Sequence, residues 1–188
     1  MSVHLIIGPM FSGKTTELCR IKNRLDIAKI PSLLIRYYAD NRYSSDADQL
    51  HTHAGISYKC ISSFDKNLKN VINSVNISDY KHVFIDEIQF YQDAYEVCEY
   101  LANNGIHVVA AGLQGDINRQ MFLSVAQLVP ICECITHLTA IDPLNAEVAV
   151  INIKTNANNS DIEDIGGADK YRVMSRNTFS MYKWGILN

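Results

Sequence analysis

Between a short apolar run, Val3 to Ile7, and a stretch with helical spacing, the chain reads Gly8-Pro9-Met10-Phe11-Ser12-Gly13-Lys14-Thr15. Gly, four residues, Gly, Lys and then Ser or Thr is the pattern of a loop whose backbone N–H groups wrap a phosphate. Such a loop needs a strand to deliver it and a helix to leave it, so that the turn amides and the positive helix end converge on the same oxygens. Leu18, Ile21, Leu25 and Ala28 supply the helical stripe that follows. The N-terminal segment is thereby committed to strand, loop and helix. Gly8, Pro9, Met10, Phe11, Ser12, Gly13, Lys14, Thr15 and Thr16 form the expected ATP-binding segment. Lys14 is suited to neutralise the β and γ phosphates, and the Thr15 hydroxyl to ligate Mg²⁺.

Further apolar runs follow at Ser32 to Tyr37, His82 to Ile85, Ile106 to Ala111 and Glu133 to Leu138, with a helix-like stretch at Tyr91 to Asn103. Continuous rather than alternating hydrophobicity marks strands covered on both faces. Strands alternating with helices imply a parallel sheet in an α/β sandwich. Tyr38 to Ser63 is polar and reads as a long loop near the site. From Ile141 the character changes: Glu147 to Lys154 alternates like a hairpin strand, Thr155 to Ser160 reads as a turn, and Gly166-Gly167 marks another. The expected fold is an α/β P-loop (RecA-like) parallel sheet flanked by helices over 1–140, with a small β-rich C-terminal lobe over 141–188.

The second chemical element is Val83-Phe84-Ile85-Asp86-Glu87, an apolar run ending in two carboxylates. Asp86 matches the acidic residue that holds Mg²⁺ in P-loop enzymes. Successive strand side chains point to opposite sides, so Glu87 is free to act as general base on an acceptor hydroxyl. A cap on the following helix, or a residue that positions water for hydrolysis, is the competing reading of Glu87. Gln89 is placed with the ATP-binding group.

Composition narrows the partners. A formal charge of −3 and a pI near 6.0 supply no broad basic surface, which argues against nucleic acid as a partner. Five cysteines, odd in number and scattered, point to a reducing compartment. Neither a signal peptide nor a membrane span of about 20 apolar residues is present in the sequence. A cytoplasmic location is the expectation.

The strings IIGPMFSGKTTEL (6–18), YADNRYSS (38–45), IDEIQFY (85–91), LVPICECITHLTA (128–140) and IGGADKY (165–171) resemble, in order and spacing, the cytosolic-type (type II) thymidine kinase family. The resemblance runs from about residue 3 to residue 178. It implies transfer of the γ-phosphoryl of ATP to the 5′-hydroxyl of thymidine, or deoxyuridine, to give the monophosphate. It also implies Glu87 as catalytic base, Arg42 as an arginine near the transferring phosphate, and a homotetramer. Met10, Phe90, Leu113, Phe122 and Tyr171 match residues lining the family's base pocket. Ile162, Glu163, Asp164, Ile165 and Gly166 match backbone that bonds the thymine edge.

Three departures qualify that picture. The family's two Cys-x-x-Cys pairs, which bind structural Zn²⁺, fall on Asp142 with Asn145 and on Ser175 with Thr178, so no zinc is expected. The phenylalanine that stacks on thymine is Ile117 here, and an aliphatic contact in its place is expected to weaken thymidine binding or broaden base choice. Ile88 stands where the family has glycine, adding bulk beside the site. These departures leave open a binding paralogue without turnover or a kinase of altered base preference. A RecA-like ATPase acting on nucleic acid is disfavoured by the acidic pI.

Overall fold

Apolar strands bury both faces only when helices cover both sides, and this chain folds that way. The computed structural model describes residues 1–38, 49–51, 57–155 and 170–185. In chain order its strands are β1 (Val3–Gly8), β2 (Ser32–Tyr37), β3 (Gln49–His51), β4 (Ser57–Lys59), β5 (Ile61–Ser63), β6 (His82–Asp86), β7 (His107–Leu113), β8 (Cys134–His137), β9 (Ala140–Ile141), β10 (Val148–Lys154) and β11 (Tyr171–Ser175). The helices are α1 (Lys14–Ile27), α2 (Leu68–Asn73), α3 (Ala94–Asn103), α4 (Leu123–Leu128) and α5 (Arg176–Lys183). Among them no helix is long and apolar enough to cross a membrane.

Six strands form the main sheet in the order β5-β2-β6-β7-β1-β8, every neighbouring pair parallel. The strand carrying Asp86 is separated from the phosphate-loop strand by β7, the RecA-like arrangement expected from the sequence. Alternate residues serve opposite faces. Leu5, Val83, Ile85, Val108 and Ala110 pack with Leu68, Val97, Leu101, Val125 and Leu128 of α2, α3 and α4. Ile6, Leu34, Phe84, Val109 and Ala111 pack with Leu18 and Cys19 of α1. Each fully buried Leu, Ile or Phe contributes roughly 1.5–3 kcal/mol, so the sheet's C-terminal ends, where the chemistry gathers, stand on a stiff base.

The reading of Tyr38 to Ser63 as one long loop is corrected. Within it β3 and β4 form an antiparallel hairpin, and β5 extends the main sheet by pairing Ile61–Ser63 with Ile35–Tyr37. Leu50 and Cys60 are buried against the α1 side of the core. These strands are three residues each, too short to show a periodicity, which is why a polar composition hid them.

The small lobe is an antiparallel sheet, β11-β10-β9, backed by α5. One face gathers Ala140, Ala149 and Val173 around Met10 of the phosphate loop; the other gathers Ile151, Ile153 and Met174 around Phe179. The positions of the family's zinc thiols do come together, but as a hydrogen-bonded knot. The Asp142 carboxylate accepts from the N–H of Leu144 at 2.9 Å and of Ser175 at 2.7 Å. Asn145 Nδ2 donates to Ser175 Oγ and Thr178 Oγ1, both at 3.0 Å. Ser175 Oγ accepts from the Thr178 N–H at 3.2 Å, capping α5. This donor set does not fit zinc, which takes thiolate or imidazole ligands in structural sites. It offers one carboxylate, an amide and two hydroxyls, all engaged with one another. The knot joins the turn after β9 to the start of α5, the same two chain segments that a metal would tie.

Candidate active site

The phosphate loop is shaped by glycine where nothing larger fits. A Cβ on Gly8 would lie 2.5 Å from the Leu138 carbonyl oxygen and 2.6 Å from Ser12 Oγ. Gly13 has open space but a φ of +84°, and it begins α1 with no side chain capping the helix. The first-turn amides are therefore left for an anion. Phe11 also takes a left-handed φ of 62°. Lys14 Nζ donates to the Pro9 carbonyl at 2.6 Å, and Ser12 Oγ donates to the same oxygen at 2.8 Å.

Asp86 ends β6 only 4% exposed. The Thr15 hydroxyl donates to its carboxylate at 3.1 and 3.3 Å, so the two residues read from sequence as Mg²⁺ ligands touch across the loop and sheet. Burial and then the neighbouring Glu87 charge push the Asp86 carboxyl up to about 7, against the opposing pull of Thr15 and Lys14. Burial lowers the Lys14 ammonium, while Glu87 and Asp86 raise it in part. A cation and three acceptor groups thus share one poorly solvated corner.

Glu87 follows with φ 58° and ψ 44°, a left-handed conformation that costs a residue with a side chain on the order of 1 kcal/mol or more and clusters at functional sites. The strand ends there abruptly, and Glu87 heads a single 3₁₀ turn over Ile88–Phe90. Gln89, buried, braces it. Its Nε2 donates to Glu87 at 2.5 Å, its Oε1 accepts from the Leu113 N–H at 3.0 Å, and its carbonyl accepts from Ser124 Oγ of α4 at 3.1 Å. Sequence groups Gln89 with the ATP contacts; within the protein its bonds run to Glu87, β7 and α4. Ile88, expected to crowd the site, is fully buried in the main core. The crowding falls on Gly112, where a Cβ would lie 2.6 Å from Gln89 Oε1 and 2.7 Å from Ile88 Cγ2. Gly112→Ala is accordingly expected to destabilise the protein by about 1–3 kcal/mol through overpacking and to lower kcat by loosening Glu87. Thermal unfolding and steady-state rates check both.

The apolar residues assigned to a base pocket gather partly. The Phe90 and Tyr37 ring centroids lie 5.0 Å apart, and both Phe90 and Phe122 lie half-buried against the main core. Met10 packs on the lobe, and Tyr171 is buried in β11. Ile117 lies in a loop drawn tight by Asp116, whose Oδ1 accepts from the N–H groups of Asn118 and Gln120 at 2.8 Å. Arg42 and Ile162, Glu163, Asp164, Ile165 and Gly166 fall outside the described residues. A cavity of about 480 Å³ opens beside this loop, bounded by Gln114, Asp116, Arg119, His137, Asn152 and Arg176 among others.

Sequence reading passed over Asn152, which is buried and bonded to the phosphate loop. The signal was present: an amide in the middle of the apolar run Val150-Ile151-Asn152-Ile153 is costly to bury unless it has partners.

A parallel sheet carrying a phosphate loop at the end of β1 and paired acids at the end of β6 defines a P-loop enzyme that works on nucleotides. Residues 1–179 match the family model described as thymidine kinase. The chain is 37% identical over 177 residues to thymidine kinase of Raccoon poxvirus, covering 94% of this chain and 96% of that one. To thymidine kinase of Vaccinia virus (strain Western Reserve) it is 37% identical over the same shares, and to that of Fowlpox virus (strain NVSL) 35% identical, covering 95% and 96%. Among solved structures it is similar to the genome packaging NTPase B204 from Sulfolobus turreted icosahedral virus 2 in complex with ATP-gammaS, with TM-score 0.47 and 14% identity over 76% of this chain and 78% of that one. The chain belongs to the thymidine kinase family.

Proposed function

We propose that the protein transfers the γ-phosphoryl of ATP to the 5′-hydroxyl of thymidine, or deoxyuridine, with Glu87 as general base. The observation that carries this reading is the contact of Thr15 with Asp86 directly beside a carboxylate held in a left-handed turn. Two hard oxygen donors suit Mg²⁺, which keeps most of its remaining positions for water and phosphate. When bound there, the ion neutralises charge on the β and γ phosphates. Lys14 leaves the Pro9 carbonyl for the same oxygens, and the loop amides cradle them. Glu87 accepts the proton of the 5′-hydroxyl as that oxygen bonds to the γ-phosphorus and the bridge to the β-phosphate breaks, releasing ADP.

Arg42 is assigned to the transferring phosphate, and Met10, Phe90, Leu113, Ile117, Phe122, Tyr171 and the backbone of 162–166 to the nucleoside, on the strength of the family motifs. A cytoplasmic homotetramer and the division into 1–140 and 141–188 belong to the same reading. The test is phosphoryl transfer from Mg-ATP to each natural deoxynucleoside. Thymidine is expected to react best. Tight thymidine binding with no monophosphate formed would replace the kinase by a binding paralogue, and a purine as best acceptor would show that Ile117 has changed the choice of base.

A further inference from the structure

We infer that Asn152 is a positioning residue for the ATP half of the reaction, holding the entrance of the phosphate loop in shape from the small lobe. The inference rests on ATP binding at Gly8 to Thr15. Asn152 Oδ1 accepts from the Met10 N–H at 2.9 Å, and its Nδ2 donates to the Gly115 carbonyl at 3.4 Å. The residue is 5% exposed. One amide therefore links β10, the phosphate loop and the loop after β7.

The strand is built to place it there. β10 pairs Ala149 with Ser175 but Ile151 with Met174, a register shift that marks a bulge at Val150. Ala149 and Asn152 are three residues apart and would face opposite ways on a regular strand. After the bulge Asn152 pairs with Val173, and Val173 shares with Ala149 the cluster that surrounds Met10. The bulge thus turns Asn152 to the phosphate-loop side, and bulges commonly re-aim a side chain beside a site. Gln114 Nε2 donates to the Val150 carbonyl at 3.3 Å, fixing the bulge itself.

The bond also sorts the loop's donors. Pro9 has no N–H, and the Met10 N–H is spent on Asn152, so the phosphate-facing amides begin at Phe11. Held this way, the first half of the loop is fixed before ATP arrives, and the ordering cost on binding falls.

The test compares Asn152→Ala, Asn152→Ser and Asn152→Asp in the full-length protein. Loss of a buried hydrogen bond with an orphaned donor corresponds to about a tenfold weakening. Asn152→Ala is expected to raise KM for Mg-ATP by about that factor. Serine, too short to reach the Met10 N–H, should do the same. Aspartate keeps an acceptor oxygen for that N–H and should restore KM for ATP toward the parental value, although as a buried acid it lowers thermal stability more than alanine does. That rescue of KM without rescue of Tm separates positioning from a merely structural role. Equal KM for ATP in the parent and in both the alanine and serine variants overturns the inference, as does an aspartate variant no better than serine. Titration of Mg-ATP onto each protein gives the same comparison from Kd alone. A parent that binds ATP but phosphorylates no nucleoside would sink the kinase reading and leave this test standing.

Discussion

Glu87→Gln is expected to cut kcat by roughly 100- to 10,000-fold, the usual contribution of a positioned general base, while leaving the affinity for Mg-ATP close to parental. The substitution keeps the size of the side chain and an oxygen that can still accept from Gln89 Nε2, so the brace and the 3₁₀ turn survive. It removes the only thing the mechanism asks of the residue, a lone pair basic enough to take the 5′-hydroxyl proton. It also removes a negative charge beside Asp86, and Glu87 is one of the causes of the raised Asp86 carboxyl. Asp86 should then hold its charge more readily, which favours binding of the metal and with it ATP. A fall in kcat with ATP affinity kept or improved is therefore the signature of a base. Turnover at the parental rate would remove Glu87 from the mechanism, and a parallel loss of ATP affinity would place it among the phosphate contacts instead.

The parts that sequence made legible are those governed by local rules. The spacing of Gly8, Gly13, Lys14 and Thr15 dictates a loop between strand and helix, and continuous apolar runs dictate buried parallel strands; β2 falls on the residues assigned, Ser32–Tyr37. What sequence could not display depends on contacts between distant segments. Gln89 reads as a member of the ATP-binding group, and only its bonds to Leu113 and Ser124 reveal a brace on Glu87. Ile88 reads like an obstruction at the site, yet the left-handed turn at Glu87 rotates the following residues so that Ile88 enters the core above Gly112. Asn152 stands out in sequence as an amide among apolar residues, but its partner does not, because the bulge that aims it at the phosphate loop leaves no mark in composition. The zinc positions carried the subtlest case. Loss of four thiols reads as loss of a cross-link, whereas Asp142, Asn145, Ser175 and Thr178 re-form one from hydrogen bonds.

That replacement makes a second large prediction. Asp142→Ala is expected to destabilise the protein by about 1–3 kcal/mol, because it leaves the buried N–H of Ser175 without its acceptor and also removes the part-buried bond from the N–H of Leu144. Burial by itself would push the Asp142 carboxyl upward, but the bonds from Ser175 and Leu144, with help from Thr178 and the Ser175 hydroxyl, outweigh it and hold the group below its ordinary value. A carboxyl depressed by folding adds stability that is complete above its unfolded pKa of about 3.9 and is lost as pH falls through the lower folded value. The gap in thermal stability between parent and variant should hence be wide at neutral pH and narrow in acid. A metal cross-link would answer differently, since chelators would lower the parent's midpoint and added zinc would restore it. Here chelator is expected to leave the midpoint unchanged, and a chelator-sensitive parent, or a variant as stable as the parent at neutral pH, would mean that the knot does not hold the lobe together.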